Sequence, residues 1–152
     1  MQRTPWIIGV VIVLAIVINA MMNIANEARS PDREAPTSAE AQDRAARSDL
    51  RNALAAAKTY YTVDDSYKGF DPSDATAIEA SLSYSGDRPA TAGVISINLV
   101  TKPEVVMSTV SGSGQAFCIA DVASGSNTVT GTTFGRVDAA GVKSSAVCRG
   151  GW

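Results

Sequence analysis

The sequence predicts an α+β fold, in which an N-terminal transmembrane helix precedes an amphipathic helix packed on a C-terminal antiparallel β-sheet. Three observations support it: a long apolar run without charge, then apolar residues at helical spacing, then short β-branched runs separated by turn residues. We therefore expect a membrane anchor over residues 1–25, a linker over residues 26–37, and one folded extracytoplasmic domain over residues 38–152.

The anchor prediction depends on residues 6–25, WIIGVVIVLAIVINAMMNIA. About 20 apolar residues span about 30 Å as a helix, which matches the hydrocarbon core of a bilayer. A cleaved signal peptide is the alternative, but the run is longer than the usual apolar region of about 7 to 15 residues and offers a poor cleavage site. The short segment before the run and the cysteine-containing portion after it favour a single pass through the cell membrane, N-in and C-out, with lipid contacts through residues 6–25.

A helix is expected to start after the linker, in which Pro31 and Pro36 break any continuation of the anchor. Thr37 and Glu40 have the spacing of a capping box, so Thr37 should be the N-cap. Downstream, apolar residues recur at helical spacing and form one arc that predicts the buried face: Ala46, Leu50, Ala53, Leu54, Ala57 and Tyr61.

Beside that arc runs a basic stripe of Arg44, Arg47, Arg51 and Lys58. We interpret it as a solvated flank; the alternative is a docking surface for an acidic partner or lipid headgroups. The spacing also predicts ion pairs of Glu40 with Arg44 and of Asp43 with Arg47.

The segment after the helix is predicted to be a loop pinned by Tyr67 and Phe70, with a short helix over residues 75–82. Its carboxylates lack the alternating spacing of a calcium-binding loop, so no metal site is expected among them; they are Asp64, Asp65, Asp71 and Asp74.

The portion from Gly93 onward predicts antiparallel strands in GVISINLV, VVMSTV, FCIADV and NTVTGTTFGRV, with a last strand over residues 142–147. Gly112 and Gly114 are read as turn glycines, since no phosphate-binding motif follows them. The last residues, Gly150 to Trp152, are expected to form a loose tail.

Composition excludes several functions. The chain has no histidine, which removes the commonest general base and metal ligand. We therefore expect no enzyme, no catalytic residues and no cofactor, and the net charge of −2 predicts no nucleic-acid partner. Cys118 and Cys148 are expected to form a disulfide; two buried reduced thiols are the alternative.

Two stretches resemble type IV pilins and pseudopilins: AARSDLRNALAAAKTYYTVDDSYKGF, residues 45–70, and the segment from FCIADV to the final AVC. The first is similar to the pilin segment in which an alanine-rich helix ends in a Tyr-Tyr pair, and the second to the disulfide-bounded loop. The resemblance implies a structural or accessory subunit of a type IV pilus or a type II secretion-type assembly, with other assembly proteins as partners. The alternative is a tethered binding or sensing domain on a pilin-like fold, which the linker prolines favour.

Overall fold

The computed structural model describes residues 37–124, 130–138 and 142–152. Its helices are α1 (Ser38–Asp64) and α2 (Pro72–Ile78), and a 3-10 turn covers Ser145–Val147. The strands are β1 (Tyr84–Ser85), β2 (Ile95–Val100), β3 (Glu104–Val110), β4 (Ala116–Val122) and β5 (Gly131–Val137). The predicted α+β combination of a long helix and a mostly antiparallel sheet is confirmed.

The predicted anchor, residues 1–25, and the linker up to residue 36 lie outside the described residues. Neither helix in the described part of the chain combines the length and the apolar character that crossing a bilayer requires.

Helix α1 begins where the capping box predicted. Thr37 has an extended ψ of 153°, its hydroxyl accepts from the Glu40 amide at 3.3 Å, and the Glu40 carboxylate accepts from the Thr37 amide at 3.3 Å. The helix ends at Asp64, because the left-handed φ of 52° at the C-cap Asp65 breaks the hydrogen-bond ladder. The predicted face is confirmed: five of its members are buried and Tyr61 is half-buried, and Ala56 is also buried.

The five strands are ordered β1-β2-β3-β4-β5, and the last four form an antiparallel meander. The sequence did not predict β1, which pairs parallel to β2. Strand β2 carries a bulge at Asn98, because Ile97 faces Met107 while Leu99 faces Val106 on β3. One extra residue switches the side chains that follow to opposite faces, so Val100 packs toward α1 and Leu99 away from it.

The main core lies between α1 and the sheet. Its largest fully buried side chains include Leu50 from the helix, Tyr67 from the loop, and Met107, Phe117 and Ile119 from the strands. Burial of each large apolar side chain stabilises the fold by about 1.5 to 3 kcal/mol. The opposite face has a smaller cluster around Val106, Cys118 and Cys148.

The predicted short helix is present but its bounds were wrong, and the predicted last strand is not formed. The short helix covers Pro72–Ile78 instead of residues 75–82, because Asp71 caps it through the Ser73 and Asp74 amides at 2.7 and 3.0 Å. The predicted strand at residues 142–147 is instead irregular and then a 3-10 turn. There the Glu104 carboxylate accepts from the Ser145 amide at 2.9 Å, so a side chain takes the place of a strand partner.

Candidate functional site

The two cysteines form a disulfide that joins β4 to the last described segment. The Cα atoms of Cys118 and Cys148 are 5.6 Å apart, and both residues are fully buried. Of the two states considered from the sequence, the structure contains the paired one. The bridge lies on the sheet face opposite α1, beside Val106, Ala120 and Val142.

Three residues of the basic stripe of α1, Arg44, Arg51 and Lys58, are exposed, as a solvated flank predicts, and Arg47 is half-buried. The guanidinium carbon of Arg47 lies 5.8 Å from the centroid of the Phe117 ring. The guanidinium carbon of Arg51 lies 6.0 Å from the ring centroids of both Phe134 and Trp152. These cations cover the aromatic residues of β4, β5 and the tail, which is a cation–π arrangement. Two residues of this flank, Arg47 and Arg51, therefore also pack against the sheet.

The ion pairs predicted along α1 are not formed in the described part of the chain, where the salt bridges join Lys58 to Asp121 and Lys143 to Asp87. Arg47 donates instead to the main-chain carbonyl of Asp43 at 3.1 Å. Its guanidinium is turned toward Phe117, which explains why it does not reach the Asp43 carboxylate.

A buried carboxylate connects four parts of the fold. Asp121 on β4 accepts hydrogen bonds from Tyr67 Oη at 2.6 Å and Thr132 Oγ1 at 2.5 Å, and its Oδ1 lies 2.9 Å from Lys58 Nζ. Lys58 also donates to Thr132 at 3.1 Å. We call Lys58, Tyr67, Asp121 and Thr132 the Asp121 cluster; it joins α1, the loop after it, β4 and β5.

The environment of the Asp121 cluster favours the ionised carboxylate. Burial by itself raises the pKa of Asp121, but hydrogen bonds from Thr132, Tyr67 and Lys58, together with the Lys58 charge, outweigh burial and hold that pKa below its usual range. Burial and the neighbouring carboxylate raise the pKa of Tyr67, so its hydroxyl stays a donor. Three donors occupy the carboxylate, so the cluster acts as a structural anchor.

A shallow groove of about 170 Å³ runs between the first half of α1 and the end of β3. Ala45, Ala46 and Val110 line its apolar part, and Gln42 and Asp49 supply polar groups. Small-molecule sites usually occupy about 300 to 1,000 Å³, so this groove has room for a single side chain of a partner.

Beside the groove, Asp43 Oδ1 accepts from Ser111 Oγ at 2.6 Å and Ser113 Oγ at 2.5 Å. These hydrogen bonds, with smaller effects from neighbouring arginines, lower the pKa of Asp43. A carboxylate with a lowered pKa is a weak base, so Asp43 does not activate Ser111 or Ser113 as a nucleophile by removing its proton. The contacts instead fasten α1 to the β3–β4 turn.

Three of the four acidic residues of the loop take part in capping helices. Asp71 and Asp74 form the capping box of α2, and Asp65 ends α1. Within residues 37–124, 130–138 and 142–152, no three His, Cys, Asp or Glu side chains come together in a way that would hold a metal ion.

Sequence reasoning missed two features, the Asp121 cluster and the packing of Trp152. The sequence did contain a signal for Asp121, which is the one acidic residue in the strand FCIADV. Because side chains alternate along a strand, Asp121 lies on the same face as Phe117 and Ile119, which is the face toward α1. An isolated acid on a core face needs a buried partner. For Trp152 the local sequence offered no such signal, and the expectation of a loose tail is wrong because the Trp152 ring packs on Phe117 and Phe134.

Comparison with known proteins gave no relative: no family model, no curated protein and no solved structure matches the chain.

Proposed function

We propose that this protein is a membrane-anchored structural or accessory subunit of an extracytoplasmic assembly, of the kind formed by type IV pilins and pseudopilins. The observation that carries the proposal is the arrangement of α1: a 27-residue helix laid along an antiparallel meander whose third strand is bridged to the last segment by a disulfide. Such a bond persists in oxidising compartments, which supports a location outside the cytoplasm.

The chemistry of the domain supports a role in binding other proteins rather than in catalysis. Its buried carboxylate, Asp121, is occupied by three donors, and Asp43 is a weak base. The groove beside Ala45 has room for one side chain, which suits contact with a protein surface.

The assembly role is tested by shearing surface filaments from cells and by isolating the tagged full chain from membranes under mild detergent. The protein should appear with the filaments or with components of the assembly machinery. Absence from both fractions, with normal expression in the membrane, would contradict the proposal.

A matched pair of variants tests the groove as a contact surface. Ala45→Arg fills the groove, whereas Ala55→Arg places the same side chain at another exposed position of α1. We expect Ala45→Arg to reduce recovery of assembly components while Ala55→Arg leaves it unchanged. Equal recovery with both variants would remove the groove from the proposal.

The second candidate function is a tethered binding or sensing domain that does not enter filaments. One observation favours it: α1 begins at its own complete capping box, with Thr37 in a non-helical conformation. A tethered domain should tolerate deletion of residues 30–36, whereas loss of assembly on deletion would favour the first function.

A further inference from the structure

The last five described residues wrap around the outer edge of the sheet. Cys148 is fixed by its disulfide on the face opposite α1, whereas the Trp152 ring packs on the α1 face, 4.8 Å from Phe134 and 5.9 Å from Phe117. The chain between them must therefore pass over β5. We call residues 148–152 the strap.

Glycines make this path possible. A Cβ on Gly135 would lie 2.8 Å from the Arg149 amide nitrogen and 2.9 Å from its carbonyl oxygen, so only glycine allows the strap to lie against β5. Gly150 and Gly151 have φ values of +94° and +74°, which other residues adopt only with strain. Three glycines at these positions are a specific arrangement for turning the chain around the edge.

The strap also forms a main-chain hydrogen bond with the edge strand β5. The Gly151 amide donates to the Phe134 carbonyl at 3.0 Å. Because that carbonyl points outward, away from β4, and backbone groups alternate along a strand, the outward groups of β5 belong to Thr132, Phe134 and Arg136. An outward row of this kind is a template for another strand.

We propose that the strap is a latch that prevents β5 from pairing with β5 of a second copy of this chain. Antiparallel pairing about a two-fold axis at Phe134 places Thr132 opposite Arg136 of the second copy and Phe134 opposite its equivalent. No like charges meet in this register, so the edge is self-complementary. The carbonyl at its centre is the one that Gly151 occupies.

The test uses the full chain in mild detergent, with the disulfide intact. Gly151→Pro removes the donating amide and cannot adopt the positive φ, so it releases the strap from the edge. Gly114→Pro is the matched control: Gly114 has a φ of +89° and donates to the Ser111 carbonyl at 3.0 Å, but lies in the β3–β4 turn.

Sedimentation and native mass spectrometry should show at least about a tenfold increase in dimer association for Gly151→Pro, with wild type and Gly114→Pro unchanged. The register is checked with Arg136→Cys in the Gly151→Pro chain. In the proposed register, the Cα atoms of position 136 in the two copies are offset by about 14 Å along the strands. A bismaleimide of that length should therefore crosslink the two introduced cysteines.

A folded Gly151→Pro chain that stays monomeric, or a wild-type chain that dimerises equally through β5, overturns the proposal. If Gly151→Pro does not fold, Trp152→Ala decides in its place, because it removes the anchor of the strap from Phe134 without altering the backbone. Dimers of that variant that crosslink through position 136 support the latch, and monomers refute it.

Discussion

Replacing Asp121 by asparagine should destabilise the domain by about 2 to 4 kcal/mol. Hydrogen bonds to a charged group contribute about 1.5 to 3 kcal/mol each. The asparagine amide keeps one acceptor oxygen, so part of the bonding to Tyr67 and Thr132 survives. The pair with Lys58 adds less than about 1 kcal/mol, because half of the lysine side chain is exposed, at 50%.

Asp87→Asn is the matched control for this substitution. The Asp87 carboxylate pairs with Lys143 at 3.5 Å on the surface, with side-chain exposures of 57% and 76%. Its loss should cost about 0.5 kcal/mol or less. Urea unfolding of the full chain in detergent, followed by near-ultraviolet circular dichroism, measures both values. If Asp121→Asn costs no more than Asp87→Asn, the reasoning about the cluster is refuted.

The Asp121→Asn variant also tests how the stability of the domain depends on pH. The pKa of Asp121 is lowered in the folded state. Its contribution is therefore complete above the unfolded value of about 3.9 and is lost as pH falls through the folded pKa. The stability difference between wild type and Asp121→Asn should be constant above about pH 5 and shrink below about pH 4. A difference that grows on acidification would contradict this assignment.

Three other predictions concern the helix start, the bridge and the strap. Thr37→Ala should lower the unfolding free energy by about 1 kcal/mol and Thr37→Ser should restore most of it, as measured by urea unfolding. Replacing Cys118 and Cys148 together by serine should cost about 3 to 4 kcal/mol, because the bridge closes a loop with a sequence separation of 30; unfolding midpoints equal to those of the wild type would contradict this. Gly135→Ala should cost about 1 to 3 kcal/mol because its Cβ meets the Arg149 backbone, whereas Gly86→Ala, with nothing within 4 Å, should be nearly neutral; thermal unfolding compares the two.

The local signals in the sequence predicted the local structure well. The capping box fixed the start of α1, and the spacing of Ala46, Leu50, Ala53 and Ala57 fixed its buried face, since a periodic apolar arc has one low-energy orientation against a core. The β-branched runs likewise identified the meander, and the cysteine pair is bridged in the structure.

Long-range contacts decided the remainder, because they depend on which surfaces meet after the chain folds. The spacing of Arg47 and Arg51 could not reveal that Phe117, Phe134 and Trp152 lie beneath them. A flank that is only solvated and a flank that also makes cation–π contacts have the same sequence pattern.

The sequence by itself determined α1, its cap, its apolar face and strands β2 to β5, because each of these depends on residues within a few positions of one another. Only the tertiary structure decided that Asp121 collects donors from three other elements and that Trp152 reaches across the β5 edge to the core. Asp121 and Trp152 are 31 positions apart, so the residues around each of them do not indicate that both pack on the same side of the sheet. Their roles follow from sheet register, which brings β4, β5 and the strap side by side.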